Sequence, residues 1–231
     1  MKILVWDLPT RLFHWLFAGS FVVAYVTAES DSLFALHVFA GLLMLVLIAY
    51  RLVWSLIGSR YARISSFLFS PAAAVRYAFA ALKGQATRHI GHNPVGSWAI
   101  YAMILLGAGS AATGLATLLA GEAFEDVHEV LANGMLAVVV LHLIGVALAS
   151  IVHKENLPRA MVNGYKEGQA EEGIRSPRYL AAALLVALVV ASAGLFLKGY
   201  DSAQQTLVLP FAGKTLDLSG REGGEKGHDD E

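Results

Sequence analysis

Apolar residues gather into long unbroken runs along this chain instead of alternating with polar ones. The stretches 12–28, 32–50, 98–121, 130–152 and 179–197 contain no Asp, Glu, Lys or Arg. Each is about the length a helix needs to cross a hydrocarbon core of ~30 Å at 1.5 Å per residue. With the fourth taken back to residue 128, the pattern predicts five membrane-spanning helices. The connection at 29–31 is very short, whereas the one from Arg51 to Ser97 is long. Within it, Ser70-Pro71 reads as an N-cap followed by proline at the first helical position, and Gly84 as a stop. A short helix is expected there, lying on the membrane surface, with Arg76 and Lys83 on one face and Val75, Phe79 and Leu82 elsewhere around it. Beyond Tyr200 the chain turns polar, and its last stretch, REGGEKGHDDE, is expected to be disordered.

Composition sharpens this reading. Hydrophobic residues make up 56% and charged ones 15% of the 231 residues, and the mean hydropathy is +0.58. A soluble enzyme, a disordered chain and a nucleic-acid binder are all disfavoured. The chain reads as an all-α polytopic bundle. Charge then sets the orientation. With the N-terminus cytoplasmic, 13 of the 17 basic residues face inward and 13 of the 18 acids face outward. The tail is then periplasmic. Val26-Thr27-Ala28 has the small residues of a signal-peptide cleavage site, but Asp7, Pro9, His14 and Trp15 are poor for such a peptide, so the first span is expected to remain.

Cysteine is absent. Disulfides, Cys-ligated clusters and covalent haem attachment are therefore excluded, and any cofactor must be held non-covalently. Histidine carries the chemistry. His14, His37, His128 and His142 lie in or at the edges of the spans, where an ionisable side chain usually faces the bundle interior. One such histidine is often only a packing residue; four in three spans call for a common cause. His128 and His142 share one face of a helix, about 21 Å apart along its axis. Placed by depth, His14 matches His142 and His37 matches His128 to within about 4–6 Å, whereas the crossed pairings miss by about 15 Å. Two imidazole pairs at two depths suit two six-coordinate haem irons; a single zinc site would gather its four ligands at one point. Gly41, Gly134 and Gly145 offer room for a flat macrocycle. Arg11 and Arg51 are candidates for haem propionates, though either also serves as a cytoplasmic-side anchor. His89 and His92 sit near a GHNP turn, in which Asn93 caps a helix and Pro94 opens it; the capping role is favoured over contact with a quinone or propionate. His153 and His228 receive no role. The residues alone also admit a transporter or proton relay using intramembrane histidine, or a passive anchor.

Particular segments resemble one family. VWDLPTRLFHW around His14, LHVFAGLLMLVLIAYRLVW around His37, GHNP at 91–94, DVHEVLANGM around His128, LHLIGV around His142 and MVNGY at 161–165 are similar to the bacterial cytochrome b-561 group, which includes the b-type subunit of nickel–iron hydrogenases. The likeness runs from about Val5 to Tyr165. It implies a four-helix haem-binding core and a cytochrome of the bacterial inner membrane. That cytochrome would move electrons between the quinone pool and a partner redox protein such as a hydrogenase-like enzyme, as an electron-transfer subunit of a membrane oxidoreductase. Separately, the acids Glu29, Asp31, Glu122, Glu125, Asp126 and Glu129 of the two short outer loops point to a basic periplasmic partner such as a c-type cytochrome. The outer haem ligands of the family match His37 and His128, and its di-haem members also use positions matching His14 and His142. The expected organisation is a haem-binding domain at 1–165, a cytoplasmic linker and fifth span at 166–200, and an outer tail at 201–231; the last two lie beyond the resemblance.

Overall fold

The computed structural model describes residues 1–209 and 213–219. Among these are the helices α1 (Leu8–Thr27), α2 (Phe34–Ile57), α3 (Pro71–Leu82), α4 (Pro94–Ala120), α5 (Glu125–Val152), α6 (Leu157–Asn163) and α7 (Tyr179–Gly199). Their starts follow local chemistry. Asp7, Ser70 and Asn93 accept the backbone N–H of Thr10, Ala73 and Gly96, each just ahead of a proline in the first turn, which satisfies donors that a helix leaves orphaned. The helix expected in the long connection is α3, and Gly84 follows it with φ +69°. On α3 the apolar Val75, Phe79 and Leu82 are exposed, beside Arg76 and Lys83.

Four helices, α2, α4, α5 and α7, are long and apolar enough to cross a membrane. The 20-residue α1 matches α7 closely in length, but Arg11, His14 and Trp15 keep it below the hydropathy of the other four. The helices are arranged around α2, which packs on α1, α4 and α7, while α4 and α5 lie along one another. Phe13, Phe17, Phe21, Leu43, Leu47, Met135 and Leu185 form the shared core. Gly107 lets α4 approach closely, since a Cβ there would stand 2.9 Å from Phe17. By contrast α5 has almost no direct packing against α1 or α2. The α1–α2 pair and α5 meet at isolated points: the Tyr25 hydroxyl donates to Asn133 Oδ1 at 2.8 Å, and Met135 of α5 is buried in the shared core.

Each end of the bundle carries a small antiparallel sheet that an all-α reading did not include. At the lower end, β1 (Lys2–Leu4) pairs with β2 (Tyr165–Glu167). The Gly164 carbonyl accepts the N–H groups of Val5 and Trp6. Gly164 has φ +88°, and a Cβ there would meet Trp6 O at 2.7 Å, so this turn requires glycine. Lys166 is buried and bridges to Glu155 at 3.3 Å, and Arg88 joins Glu155 at 3.1 Å. Burial lowers the pKa of Lys166, and Glu155 partly offsets that. At the upper end, the tail expected to be merely polar folds into β3 (Tyr200–Asp201), β4 (Thr206–Leu209) and β5 (Lys214–Asp217). Leu207, Leu216 and Leu218 are buried there against Val38, Phe34 and Leu115. Residues 221–231, expected to be disordered, lie outside the described residues.

Candidate haem-binding site

His37 sits in the first turn of α2 and His128 in the first turn of α5. Their rings meet in a T-shaped contact with centroids 5.9 Å apart and planes at 81°. His37 Nδ1 donates to Ala24 O of α1 at 2.8 Å. His128 Nδ1 donates to Ser110 O of α4 at 2.7 Å. Both carbonyls can only accept, so each Nδ1 carries the hydrogen and each Nε2 keeps its lone pair. Ala24 lies in the last turn of α1, where helix carbonyls lack an intrahelical partner. Ser110 lies inside α4, and its carbonyl is reachable because Gly114, one turn on, has no side chain. A Cβ at Gly114 would lie 2.9 Å from His128 Cε1. Phe34 stacks on the other face of His37 at 5.7 Å.

The second set lies at the lower end. His14 projects from the second turn of α1, and His142 lies 14 residues beyond His128 on α5. His14 and His142 are within electrostatic reach of each other. His14 Nδ1 is buried without a hydrogen-bond partner. The upper pair is in ring contact, whereas between His14 and His142 the structure shows only an electrostatic interaction.

Arg51, 4% exposed, is buried in α2 and donates to Ala62 O at 2.9 Å. Its guanidinium lies over Phe13 and Phe67, and no salt bridge reaches it among the described residues. Arg11 donates to Val162 O at 3.0 Å and leaves its Nε buried and unpaired. Asp7 accepts from Trp54 Nε1 at 3.2 Å beneath the same region.

His92 departs from its sequence reading. The capping by Asn93 is as expected. His92 itself, however, is enclosed between Trp6 at 4.7 Å and Phe67 at 4.8 Å, with Nδ1 unpartnered. Burial first, and then the nearby Arg51, Lys166 and His142 charges, push its pKa down to about 3, so the ring is neutral. His89 and His153 gather instead around Tyr77, which meets His153 Nε2 at 3.4 Å. Of the glycines expected to flank a macrocycle, Gly41 and Gly145 face open space, and Gly134 meets Leu106.

These residues fit b-type haem. The close approach of the His37 and His128 rings, with centroids 5.9 Å apart, would let both imidazoles serve one iron. The Nε2 atoms of His37 and His128 are left to a metal, a Cβ at Gly41 or Gly145 would meet open space, and the buried Arg51 guanidinium suits a carboxylate. Among the described residues no three-ligand cluster of His, Asp or Glu competes for a bare ion.

No curated protein and no solved structure matches this chain. A family model described as prokaryotic cytochrome b561 matches residues 5–164. That match runs from Val5 of the lower cap to the Gly164 turn, and so includes all four intramembrane histidines, whereas α7 and the upper sheet lie beyond it. The chain belongs to the prokaryotic cytochrome b561 family, and is a membrane b-type cytochrome of electron transport.

Proposed function

We propose that this protein holds two b-type haems, one at His37 and His128 and one at His14 and His142, and passes electrons between the quinone pool and an external redox protein. The single observation that carries this reading is the contact of the His37 and His128 rings, 5.9 Å apart with both Nδ1 atoms tied to carbonyls. A haem held by such a pair of imidazoles would supply one-electron transfer. The chain's own residues hold the two upper ligand rings in one tautomer and bring buried positive charge, chiefly Arg51, to the lower site. Arg11, held to Val162 O, serves the same lower region.

In this reading α1 is the first of five spans and the N-terminus is cytoplasmic. Its lower mean hydropathy comes from Arg11, His14 and Trp15, the first two of which the lower site uses. The upper end is then periplasmic. Glu29, Asp31, Glu122, Glu125, Asp126 and Glu129 give it an acidic face, which would speed encounter with a basic electron-transfer protein. Quinone meets the lower, cytoplasmic-side haem.

The test is a reduced-minus-oxidised spectrum with haem quantification of the purified protein. Two haems per chain, extractable by acidic acetone, are expected. Full loading at one haem per chain would remove the lower site from the proposal. The partner is tested separately: electron exchange with the purified redox protein should slow as salt rises, and Glu122, Glu125 and Asp126 changed together to Lys should slow it at low salt.

A further inference from the structure

Below the point where α2 ends and α7 begins lies a hollow of ≈ 410 Å³ that the haem chemistry does not use. Two segments far apart in sequence line it, residues 59–63 and 173–178. They bring four arginines, Arg60, Arg63, Arg175 and Arg178, into its lining. No salt bridge involves any of the four among the described residues. Arg60 is held at the rim by Glu171 O and the Tyr61 ring. Arg178 is fixed in the left-handed region at φ 62°, its N–H donating to Ser176 Oγ at 3.2 Å.

Four like charges repel one another, and positive-inside anchoring accounts for arginine near span ends but not for its convergence on one hollow. A second observation is independent of charge. Ser59 lines the hollow, is 5% exposed, and its Oγ is buried without a hydrogen-bond partner. A buried hydroxyl left unpaired is costly unless something external meets it.

The surroundings narrow the ligand. The hollow lies where two apolar helices leave the membrane, at headgroup depth. Leu56 and Ile57 in the last turn of α2, and Tyr179 and Leu180 in the first turn of α7, are strongly exposed and apolar. The two helices are joined there by the Tyr50 hydroxyl donating to Ala181 O at 3.1 Å. A phosphate group seated on the arginines would have its acyl chains run along these side chains. We propose that this hollow is a seat for the phosphodiester headgroup of an anionic phospholipid, with Arg63, Arg175 and Arg178 meeting the phosphate oxygens and Ser59 donating to one of them. Arg175 and Arg178 lie beyond the family match, which ends at residue 164, so the seat depends on the segment that carries α7.

The test uses the intact protein, delipidated and returned to nanodiscs of phosphatidylcholine containing a small fraction of cardiolipin, with retained lipid counted by native mass spectrometry. Wild type should retain about one cardiolipin per chain in preference to phosphatidylcholine. The R63Q/R175Q double variant should lose about tenfold or more of that preference, on the general worth of a basic residue at a lipid headgroup. The S59A variant should lose severalfold, and it serves if the double variant fails to fold. The R76Q/K83Q variant removes the same charge from α3 and should retain the lipid. Equal retention by R63Q/R175Q and wild type, or equal loss by R76Q/K83Q, would overturn the proposal. So would mole-for-mole displacement of the lipid by inorganic phosphate, which would make the hollow a phosphate site.

Discussion

The two histidine sets differ in how far the protein alone has prepared them. At the upper end His37 and His128 are in ring contact, and each Nδ1 is spent on a backbone carbonyl. Helix termini and a glycine do this work, and both are parts of the scaffold. At the lower end the polar groups are buried but unpaired: His14 Nδ1, His92 Nδ1 and Arg11 Nε have no partner, and Arg51 has one carbonyl and no carboxylate. The upper ligands are preorganised, whereas the lower groups are left short of hydrogen bonds that a bound carboxylate-bearing cofactor would supply. Loss of the ligand should therefore be felt more strongly at the lower end.

Exchange of single ligands is the most severe test of that contrast. His128→Ala should remove one spectral component completely and spare the other. His14→Ala should remove the opposite one. If both variants lost the same component, the pairing along α5 would be wrong. Thermal melts of the two variants add the asymmetry: the His14→Ala protein, with more stranded polar groups around an empty site, should fall further in Tm.

The next effect concerns the polar cap beneath the lower site. Glu155→Gln leaves Lys166 buried without its counter-ion, and breaking such a pair costs about 3 kcal/mol. The Lys166 hydrogen bond to His89 O remains and should keep the loss toward that lower figure. Glu155→Gln combined with Lys166→Met should recover most of it. Denaturation of the three variants checks this, and an unrecovered double variant would mean the cap is held by something other than the ion pair.

A smaller effect separates the two ends by backbone approach. Gly114→Ala places a Cβ 2.9 Å from His128 Cε1, and the ring must move off the Ser110 carbonyl. A cost of about 1–3 kcal/mol is expected from such overpacking, with a changed low-spin spectrum for the upper component only. Gly145→Ala, three residues past His142, meets nothing within 4 Å in the protein. It should leave stability of the haem-free chain unchanged, and any effect should appear only on the haem-loaded protein.

Much of this was legible before any coordinates. Charge-free runs marked four helices that reach membrane-crossing length and apolarity, and Ser70-Pro71, Asn93-Pro94 and Gly84 marked where helices start and stop. The rise per residue sufficed to place His37 beside His128, because depth in a bundle is a one-dimensional quantity. What was hidden depends on which helices are neighbours. Gly114 became meaningful only once α5 lay beside α4, whereas the glycines nearest the histidines in sequence, Gly41 and Gly145, touch nothing. His92 read as part of a helix cap, and its burial follows from β1 and the long connection folding over it. In the tail, the alternation of Leu216 and Leu218 with Thr215 and Asp217 was a strand signal too short to stand out against polar surroundings.

The finest test addresses the buried charge at the lower site. A fixed positive group near a redox centre favours the reduced form, which carries one negative charge more than the oxidised form. Arg51 is buried and makes no salt bridge among the described residues, although the buried Asp7 lies within electrostatic reach and offsets part of its field. On the proposed assignment, Arg51→Gln should lower the midpoint potential of the lower haem by tens of millivolts. The upper haem, at His37 and His128, should shift far less, since about 21 Å along α5 separates the two sites. Arg51→Lys should keep most of the potential while losing the guanidinium's fork of hydrogen bonds. Redox titration of the two components in the wild type and both variants separates charge from packing. Equal shifts at both haems would show that Arg51 acts through the fold of α2 and not through its charge. No shift at either would remove Arg51 from the lower site, and the contrast between the two ends would then rest on the histidines alone.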